Sequence, residues 1–452
     1  MKPGNLFVPI EQGFHRNRGT PFLFIQAEAR QLDPTSKTLT IECVTNAERK
    51  RISAVLKYRS STSPDPAKTR PKLDEKGEYP NPKLQTLQYH ALICATGSSA
   101  HSDLLSLHGP HLTTIGALQT FHSRVAAART VLICGGGTSG VETAGQLSVF
   151  WNYQPAGPLF PFRRQVKKES RKQILLIAAN ERLLPALKPS AGSKALKLLR
   201  SLNVDVRLGV RVEKVEEEFD LTGQTRVGLS DETTMIVDAY IACTGVTPNS
   251  SYLPPNPVDA KGNVNCNDKT LRVEVTSHST SGPAAERNLT IAREVSAATT
   301  NDAASAASTT PTTTNNTSAA GPVHPERLYA LGDCASYSQN YLLDVYAAVP
   351  TVMHNLLSDL LIHELHSAAP YGGNADAIKA LRKKDAVYEK RIVGSQLCPV
   401  SRFGGVGVLT GLGVPRLVVW GLKGWDYGVG KARRVVCDGG NPYAVTGKYA
   451  EF

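Results

Sequence analysis

Short apolar runs broken by polar turns recur along the chain, and their lengths predict the elements. VLIC at 131–134 is bounded by glycines, as expected of a strand buried in a parallel sheet. After it, Val141, Ala144, Gly145, Leu147 and Ser148 recur at helical spacing. ILLIAA at 174–179 predicts a second buried strand, and MIVDAYIACTG at 235–245 predicts a third. Between them, SAGSKALKLLRSLN at 190–203 is patterned as an amphipathic helix with Ser190 at its N-cap. VDVRLGVRVEKVEEEF follows with strand patterning. The order β-α-β-α-β from 130 to 245 predicts a parallel-sheet nucleotide-binding domain.

The flanks read differently. TPFLFIQAEARQLDPTSKTLTIECV alternates apolar and polar positions around Asp33-Pro34-Thr35-Ser36, which predicts a hairpin. YHALICATGSSA is a further buried strand, ending at Thr96-Gly97-Ser98. Residues 59–84 are rich in Pro, Ser and charge and are expected to be an exposed loop. Residues 154–172 form a Pro-rich, basic insertion, and 296–320 hold only Ser, Ala, Thr, Asn, Asp and Pro, a composition that predicts disorder. RLYALGDCAS restarts ordered structure ahead of a helix through roughly 341–366. The section from 391 opens as a strand and becomes rich in Gly and aromatics.

Composition narrows the classes. The chain has 452 residues, 41% hydrophobic and 20% charged, ordinary for a globular protein with two or three domains. Its net charge of +12 suits anionic cofactors or an anionic surface, but no Lys/Arg block is interleaved with aromatics, so no nucleic-acid partner is expected. The eight cysteines, at 43, 94, 134, 243, 266, 334, 398 and 437, form no C-x-x-C or C-x-x-x-x-C pair. A redox dithiol and a zinc cluster are therefore unsupported, and buried free thiols in a reducing, cytoplasmic compartment are expected. MKPGNLFVPIEQG carries no signal-peptide core, and no uninterrupted 18-residue apolar stretch predicts a transmembrane helix.

The candidate chemistry centres on Gly135-x-Gly137-x-x-Gly140. A strand precedes this turn and a helix follows it, the context that a dinucleotide motif requires. Gly135 allows the tight turn, Gly137 lets the backbone approach a pyrophosphate, and Gly140 lets helix and strand pack closely. The helix N-terminus adds free N–H groups and positive potential. Glu142 has two open roles, favouring the helix dipole or positioning a nicotinamide ring. At the end of the second strand, Glu181 suits the ribose 2′-hydroxyl of NADH and Arg182 the 2′-phosphate of NADPH. Either residue can also simply face solvent. Strand-end turns at ATG 95–97 and CTG 243–245 allow close backbone approach to a ligand. Asp333, after Gly332, can accept a hydrogen bond from a ribityl hydroxyl or cap the helix that follows.

Taken in order, YHALICATGSSA, VLICGGGTSGVETAGQL, YIACTGVTPNSSYL and RLYALGDCAS resemble the FAD/NAD(P)-dependent pyridine nucleotide oxidoreductases. The single-flavin branch similar to apoptosis-inducing factor and its mitochondrion-associated homologue (AMID-like) fits best, because the redox cysteine pair of the disulfide reductases is absent. The tail SQLCPVSRFGGVGVLTGLGVPRLVVWGLKGWDYGV also looks AMID-like. The resemblance covers most of residues 5–437.

It implies an α/β fold of two Rossmann-like, three-layer ββα domains, the NAD(P)H domain inserted in the FAD domain, plus a C-terminal α+β segment. The expected divisions are 1–129 with 246–365 for FAD, 130–245 for NAD(P)H and 366–452 for the C-terminal segment, with insertions at 59–84 and 280–322. Thr96 and Gly97 would lie against FAD, Asp333 would bind its ribityl or phosphate part, and a helix start near Val349 would face the flavin ring. Gly135, Gly137 and Gly140 would hold the NAD(P)H pyrophosphate, with Glu142 and Gly245 near the nicotinamide. Hydride would pass from NAD(P)H to FAD, then electrons to a quinone-like or protein acceptor, with no catalytic side chain required.

Two departures qualify this. GNLFVPIEQGF resembles a segment downstream of the family's first strand–GxGxxG–helix, so the chain is expected to lack on the order of 80–100 residues, including the FAD adenosine site. Gln146 stands where the family often has an acidic residue. Two further classes are therefore carried: an impaired NAD(P)H-binding protein that has lost the FAD half, and a membrane-associated interaction protein. The last rests on VPRLVVWGLKGW, which mixes Leu, Val and Trp with Arg and Lys as at a mitochondrial or other intracellular membrane surface, or else forms a buried strand pair.

Overall fold

The computed structural model describes residues 22–45, 84–155, 163–217, 223–275, 327–368, 374–390, 396–401 and 404–425, with isolated positions that include Ile52 and Tyr427. Of the loop expected at 59–84, residues 59–83 lie outside the described residues and Leu84 opens a strand; the expected disordered stretch at 296–320 also lies outside them.

The centre is a parallel sheet. Strand β1 (Ala27–Asp33) and β2 (Thr38–Cys43) form the expected hairpin, with Asp33 accepting the backbone N–H groups of Thr35 and Ser36. β3 (Leu84–Gln88) completes that antiparallel sheet. β4 (Leu92–Cys94) and β5 (Ser98–Ala100) follow, then helix α1 (His111–Ala127). β6 (Thr130–Cys134) leads into α2 (Thr138–Asn152). The hairpin β7 (Tyr153–Pro155) and β8 (Arg163–Gln165) precedes β9 (Gln173–Ala178), helix α3 (Pro189–Ser201) and β10 (Val204–Leu208). The antiparallel meander β11 (Val212–Glu216), β12 (Thr225–Leu229) and β13 (Thr234–Val237) leads to β14 (Ala239–Ala242). The parallel order is β10-β9-β6-β14.

Alternation within these strands explains the layers. Val131, Ile133, Ile174 and Leu176 face helices α2 and α3, where Ala195 and Leu199 meet them. Leu132, Leu175 and Ile177 point the other way, onto Val227, Leu229 and Val237 of the meander. Helices, parallel sheet and meander thus make three layers, because strands buried on both faces read as continuous apolar runs.

Strand β15 (Val246–Pro248) pairs with β5, and β16 (Leu328–Ala330) pairs in parallel with β4. Around β4 and β16 lies a separate core that includes Val264, Leu271, Tyr329, Ala348 and Val352. Its long helix α4 (Leu342–Ala368) is followed by α5 (Ala375–Arg382). By length and composition α4 could cross a membrane, but here it seats Ala348 and Val352 in that core and buries Asp344 and Asp359. β17 (Gln396–Ser401), β18 (Gly404–Leu409) and β19 (Leu412–Gly413) form the C-terminal sheet. Cys398, Val400, Val406 and Val408 join the helix-side core of the nucleotide domain, so this sheet packs on α2 and α3. Gly145 permits that approach: a Cβ there would sit 1.7 Å from the carbonyl oxygen of Val400.

Four expectations need correction. Ser190 does not cap α3; Lys188 precedes the helix without a side-chain cap, because Pro189 supplies the preset φ and missing N–H of a first helical residue. MIVDAYIACTG is two strands. Asp238 breaks the run by accepting the N–H groups of Arg129 (2.8 Å) and Thr130 (2.9 Å), which diverts β13 into the meander while β14 joins the parallel sheet. VPRLVVWGLKGW is not a strand pair: after Pro415 it winds into α6 (Arg416–Val419) and a π-helical turn (Trp420–Gly424). The helix expected to start near Val349 starts at Leu342, so Val349 is mid-helix and half-buried.

Candidate functional site

The turn between β6 and α2 opens onto a cleft of about 750 Å³. Residues 135–139 form its floor. Ala179 and Asn180 close the end beyond β9, and Ala100 and Leu105 the other side. Thr244, Gly245 and Val246 line it after β14, and Arg211, Glu213 and Tyr240 line the meander side.

The three motif glycines sit in three different environments. Gly135 has φ +123°, and a Cβ there would stand 2.2 Å from the Cys243 carbonyl oxygen. Only glycine fits both the dihedral and the space. At Gly140 a Cβ would stand 1.8 Å from the Gly135 carbonyl oxygen, so α2 leaves the strand at a distance no side chain allows. Gly137 is the reverse: nothing lies within 4 Å of its Cβ position. Its open side belongs to the cleft, directly before the first residue of α2. Unpaired N–H groups at that helix start attract an anion. An open backbone segment over a helix N-terminus, in a cleft of dinucleotide size, fits the pyrophosphate of NAD(P)H.

The other nucleotide candidates are placed less directly. Glu181 is exposed and packs its carboxylate over Gly209, outside the cleft lining. Arg182 is tied back to the Pro185 carbonyl at 2.8 Å. Asn180 is the residue of that trio that lines the cleft. Glu142 is not in the first turn of α2 and does not line the cleft. It is instead an ion-pair partner of Lys423, at 2.7 Å. Burial raises its pKa, and the Lys423 ammonium opposes that rise. One turn further along α2, the Gln146 amide donates to the Tyr427 hydroxyl. Positions 142 and 146 thus meet 423 and 427, a contact between two helical segments that local sequence does not announce.

The candidates assigned to FAD gather at the ends of β4 and β16. Gly97 (φ +66°) and Gly332 (φ +79°) both turn the chain in the left-handed region just past these paired strands. The Cβ position of Gly97 faces open space, the kind of cradle that a flat cofactor edge fills. The Ser98 hydroxyl donates to Asp333 at 3.2 Å, so Asp333 is brought beside the Thr96–Ser98 turn. Asp333 caps no helix, since α4 begins at Leu342. Thr96 donates its hydroxyl to the Asn249 carbonyl, and the Asn249 amide returns a bond to the Thr96 carbonyl at 3.0 Å. Asn249 also accepts from Ser99 at 2.8 Å. This asparagine fixes the turn; the motif reading passed over it within VTPNSS. His101, hydrogen-bonded to Thr244 at 2.8 Å, links this turn to the nucleotide cleft.

Every described cysteine is buried, and no two of them form a disulfide. Burial pushes the Cys94 and Cys243 thiols up to about 11, which keeps them protonated and poor nucleophiles.

Comparison with known proteins gives the family. The model of the family "Pyridine nucleotide-disulphide oxidoreductase" matches residues 16–282. The chain is 28% identical over 348 residues to oxidoreductase phnG of Penicillium herquei, covering 76% of this chain and 68% of that one. It is 29% identical over 263 residues to oxidoreductase ptaL of Pestalotiopsis fici, covering 57% of this chain and 54% of that one. Over 124 residues it is 32% identical to the type II NADH:quinone oxidoreductase NdhA of Mycobacterium tuberculosis, covering 27% of this chain and 25% of that one. The chain thus spans little more than half of the second relative and a quarter of the third.

Proposed function

Because the chain belongs to the pyridine nucleotide-disulphide oxidoreductase family, we propose that it is an FAD-dependent NAD(P)H oxidoreductase with its nicotinamide nucleotide over Gly137. The observation that carries this reading is the contrast among the three glycines. Two are locked against neighbouring backbone, and the third opens into the cleft beside a helix N-terminus. Bound there, NAD(P)H supplies a hydride that FAD accepts, and the electrons leave to a quinone-like small molecule or an electron-transfer protein.

The chain's own residues bind and orient. The turn at 135–137 and the first N–H groups of α2 hold the pyrophosphate, Asn180 bounds the adenosine end, and Thr244 and Gly245 bound the nicotinamide end. The Thr96–Ser98 turn, held by Asn249, and Asp333 hold FAD beside it. The quinone-like acceptor is supported by the printed activity of the Mycobacterium relative. The absence of a closely spaced cysteine pair supports placement in the single-flavin, apoptosis-inducing-factor-like branch.

Peripheral placement on an intracellular membrane has its own support in the exposure of Leu417 and Trp425, each 74% exposed around α6. Co-sedimentation with liposomes, lost in a Leu417→Glu/Trp425→Glu variant, tests it.

The activity itself is tested with the purified full chain, NADH or NADPH, and a soluble benzoquinone, following loss of nicotinamide absorbance. Turnover that falls at least tenfold in Gly137→Val supports the proposal. A colourless protein that oxidises neither nucleotide overturns it.

A further inference from the structure

A second depression shares no lining residue with the nucleotide cleft. It has a volume of about 450 Å³ and lies between α3 and the sheet formed by β18 and β19. Its floor is apolar: Ala191, Val406 and Val408 are buried at its base, and Leu198, Val414 and Pro415 are at least partly exposed along it. Its rim is cationic, with Lys188, Lys194, Lys197 and Arg416. Among the described residues, no Asp or Glu lines it.

The rim follows from helical spacing. Ser190, Lys194, Lys197 and Ser201 stand at i, i+4, i+7 and i+11, one stripe along α3 that borders the trough. Lys188 reaches across and donates to the Gly411 carbonyl at 2.6 Å, tying α3 to the β18–β19 turn at one end. Among the described residues, no salt bridge involves Lys194, Lys197 or Arg416. Three cations with no salt-bridge partner among the described residues, beside a trough whose Leu198, Val414 and Pro415 remain at least partly exposed, create a local positive potential that a free anion can neutralise. The trough itself gains by being covered with hydrocarbon.

We propose that this trough binds a single-chain amphipathic anion, a free fatty acid, with its alkyl chain on the valine floor and its carboxylate at Lys194, Lys197 and Arg416. Charge complementarity selects the anionic end. The apolar floor takes an alkyl chain, and the volume lies within the range of small-molecule pockets.

The test is titration calorimetry of the full-length protein with dodecanoate below its micellar concentration, in parallel with dodecanol and with anionic phospholipid vesicles. Lys194→Glu/Lys197→Glu reverses two exposed charges, and Gly413→Leu fills the groove from a position with no atom within 4 Å of its Cβ. Circular dichroism confirms that each is folded. Expected is one dodecanoate per chain, weakened at least tenfold in each variant, with dodecanol at least tenfold weaker than dodecanoate. Gly137→Val, in the nucleotide cleft, leaves dodecanoate binding unchanged whether or not that cleft takes NAD(P)H. Equal binding of the acid and the alcohol, binding that survives both groove variants, or binding confined to vesicles overturns the proposal.

Discussion

Glu142 on the second turn of α2 and Lys423 in the π-helical turn after α6 form a 2.7 Å ion pair across 281 residues of sequence. Lys423 also donates to the Leu397 carbonyl of β17 at 3.2 Å. One ammonium therefore joins the nucleotide-domain helix to two parts of the C-terminal segment.

Removing that ammonium leaves a half-desolvated carboxylate without a cation. Lys423→Met should cost about 1–3 kcal/mol in chemical denaturation at neutral pH. The pH dependence fixes the cause. Burial raises the Glu142 pKa above its ordinary value of 4.5, and without Lys423 nothing named opposes that rise. A carboxyl whose folded pKa is raised contributes stability below its unfolded pKa and loses it as pH rises through the folded pKa. The deficit of Lys423→Met should thus shrink towards pH 4 and widen near pH 8, and Glu142→Gln should restore much of it. A deficit independent of pH would assign the loss to packing alone.

The helix-side approach of β17 gives a second prediction. Gly145→Ala places a methyl group 1.7 Å from the Val400 carbonyl oxygen. The segments must part, at a cost of about 1–3 kcal/mol. Limited proteolysis should then release residues beyond 396 sooner than in the wild type.

A buried network anchors α4. Arg272 donates to Asp359 through two nitrogens at 2.9 Å and to Asp385 at 2.6 Å, and the Tyr329 hydroxyl also reaches Asp359. Burial opposes ionisation of Asp359, but Arg272 and Tyr329 outweigh it and hold the carboxyl below its ordinary 3.8. A group depressed in this way stabilises above its unfolded pKa, and that stability is lost as pH falls through the folded value. Asp359→Asn should therefore lose about 3 kcal/mol at neutral pH and show a flatter acid limb of stability against pH. An unchanged acid limb would remove Asp359 from the acid response.

Much of the nucleotide domain was legible because its signals are local. VLIC, the glycine spacing and the helical recurrence of Val141, Ala144 and Ser148 lie within one strand–turn–helix, and the Asp33 turn announces its hairpin. The differences have one tertiary and one local cause. Asp238 breaks a continuous apolar run only because Arg129 and Thr130 present their N–H groups to it. Pro189 displaced Ser190 from the cap, a local signal that was present and outranked. Arg272 meets Asp359 across 87 residues, Asn249 meets Thr96 across 153 and Lys423 meets Glu142 across 281, so periodicity cannot reveal them.

The central claim is that NAD(P)H lies over Gly137, and a binding titration tests it most directly. NADH and NADPH are titrated by nicotinamide fluorescence into the wild type, Gly137→Val and Gly140→Val. The wild type should bind at least one of them at one per chain. Gly137→Val should keep its stability to within about 1 kcal/mol, since no atom lies within 4 Å of its Cβ, and lose binding at least tenfold. Gly140→Val, forced against the Gly135 carbonyl, should be destabilised by about 3 kcal/mol or fail to fold. A folded Gly137→Val protein that binds both nucleotides as the wild type does would contradict the account.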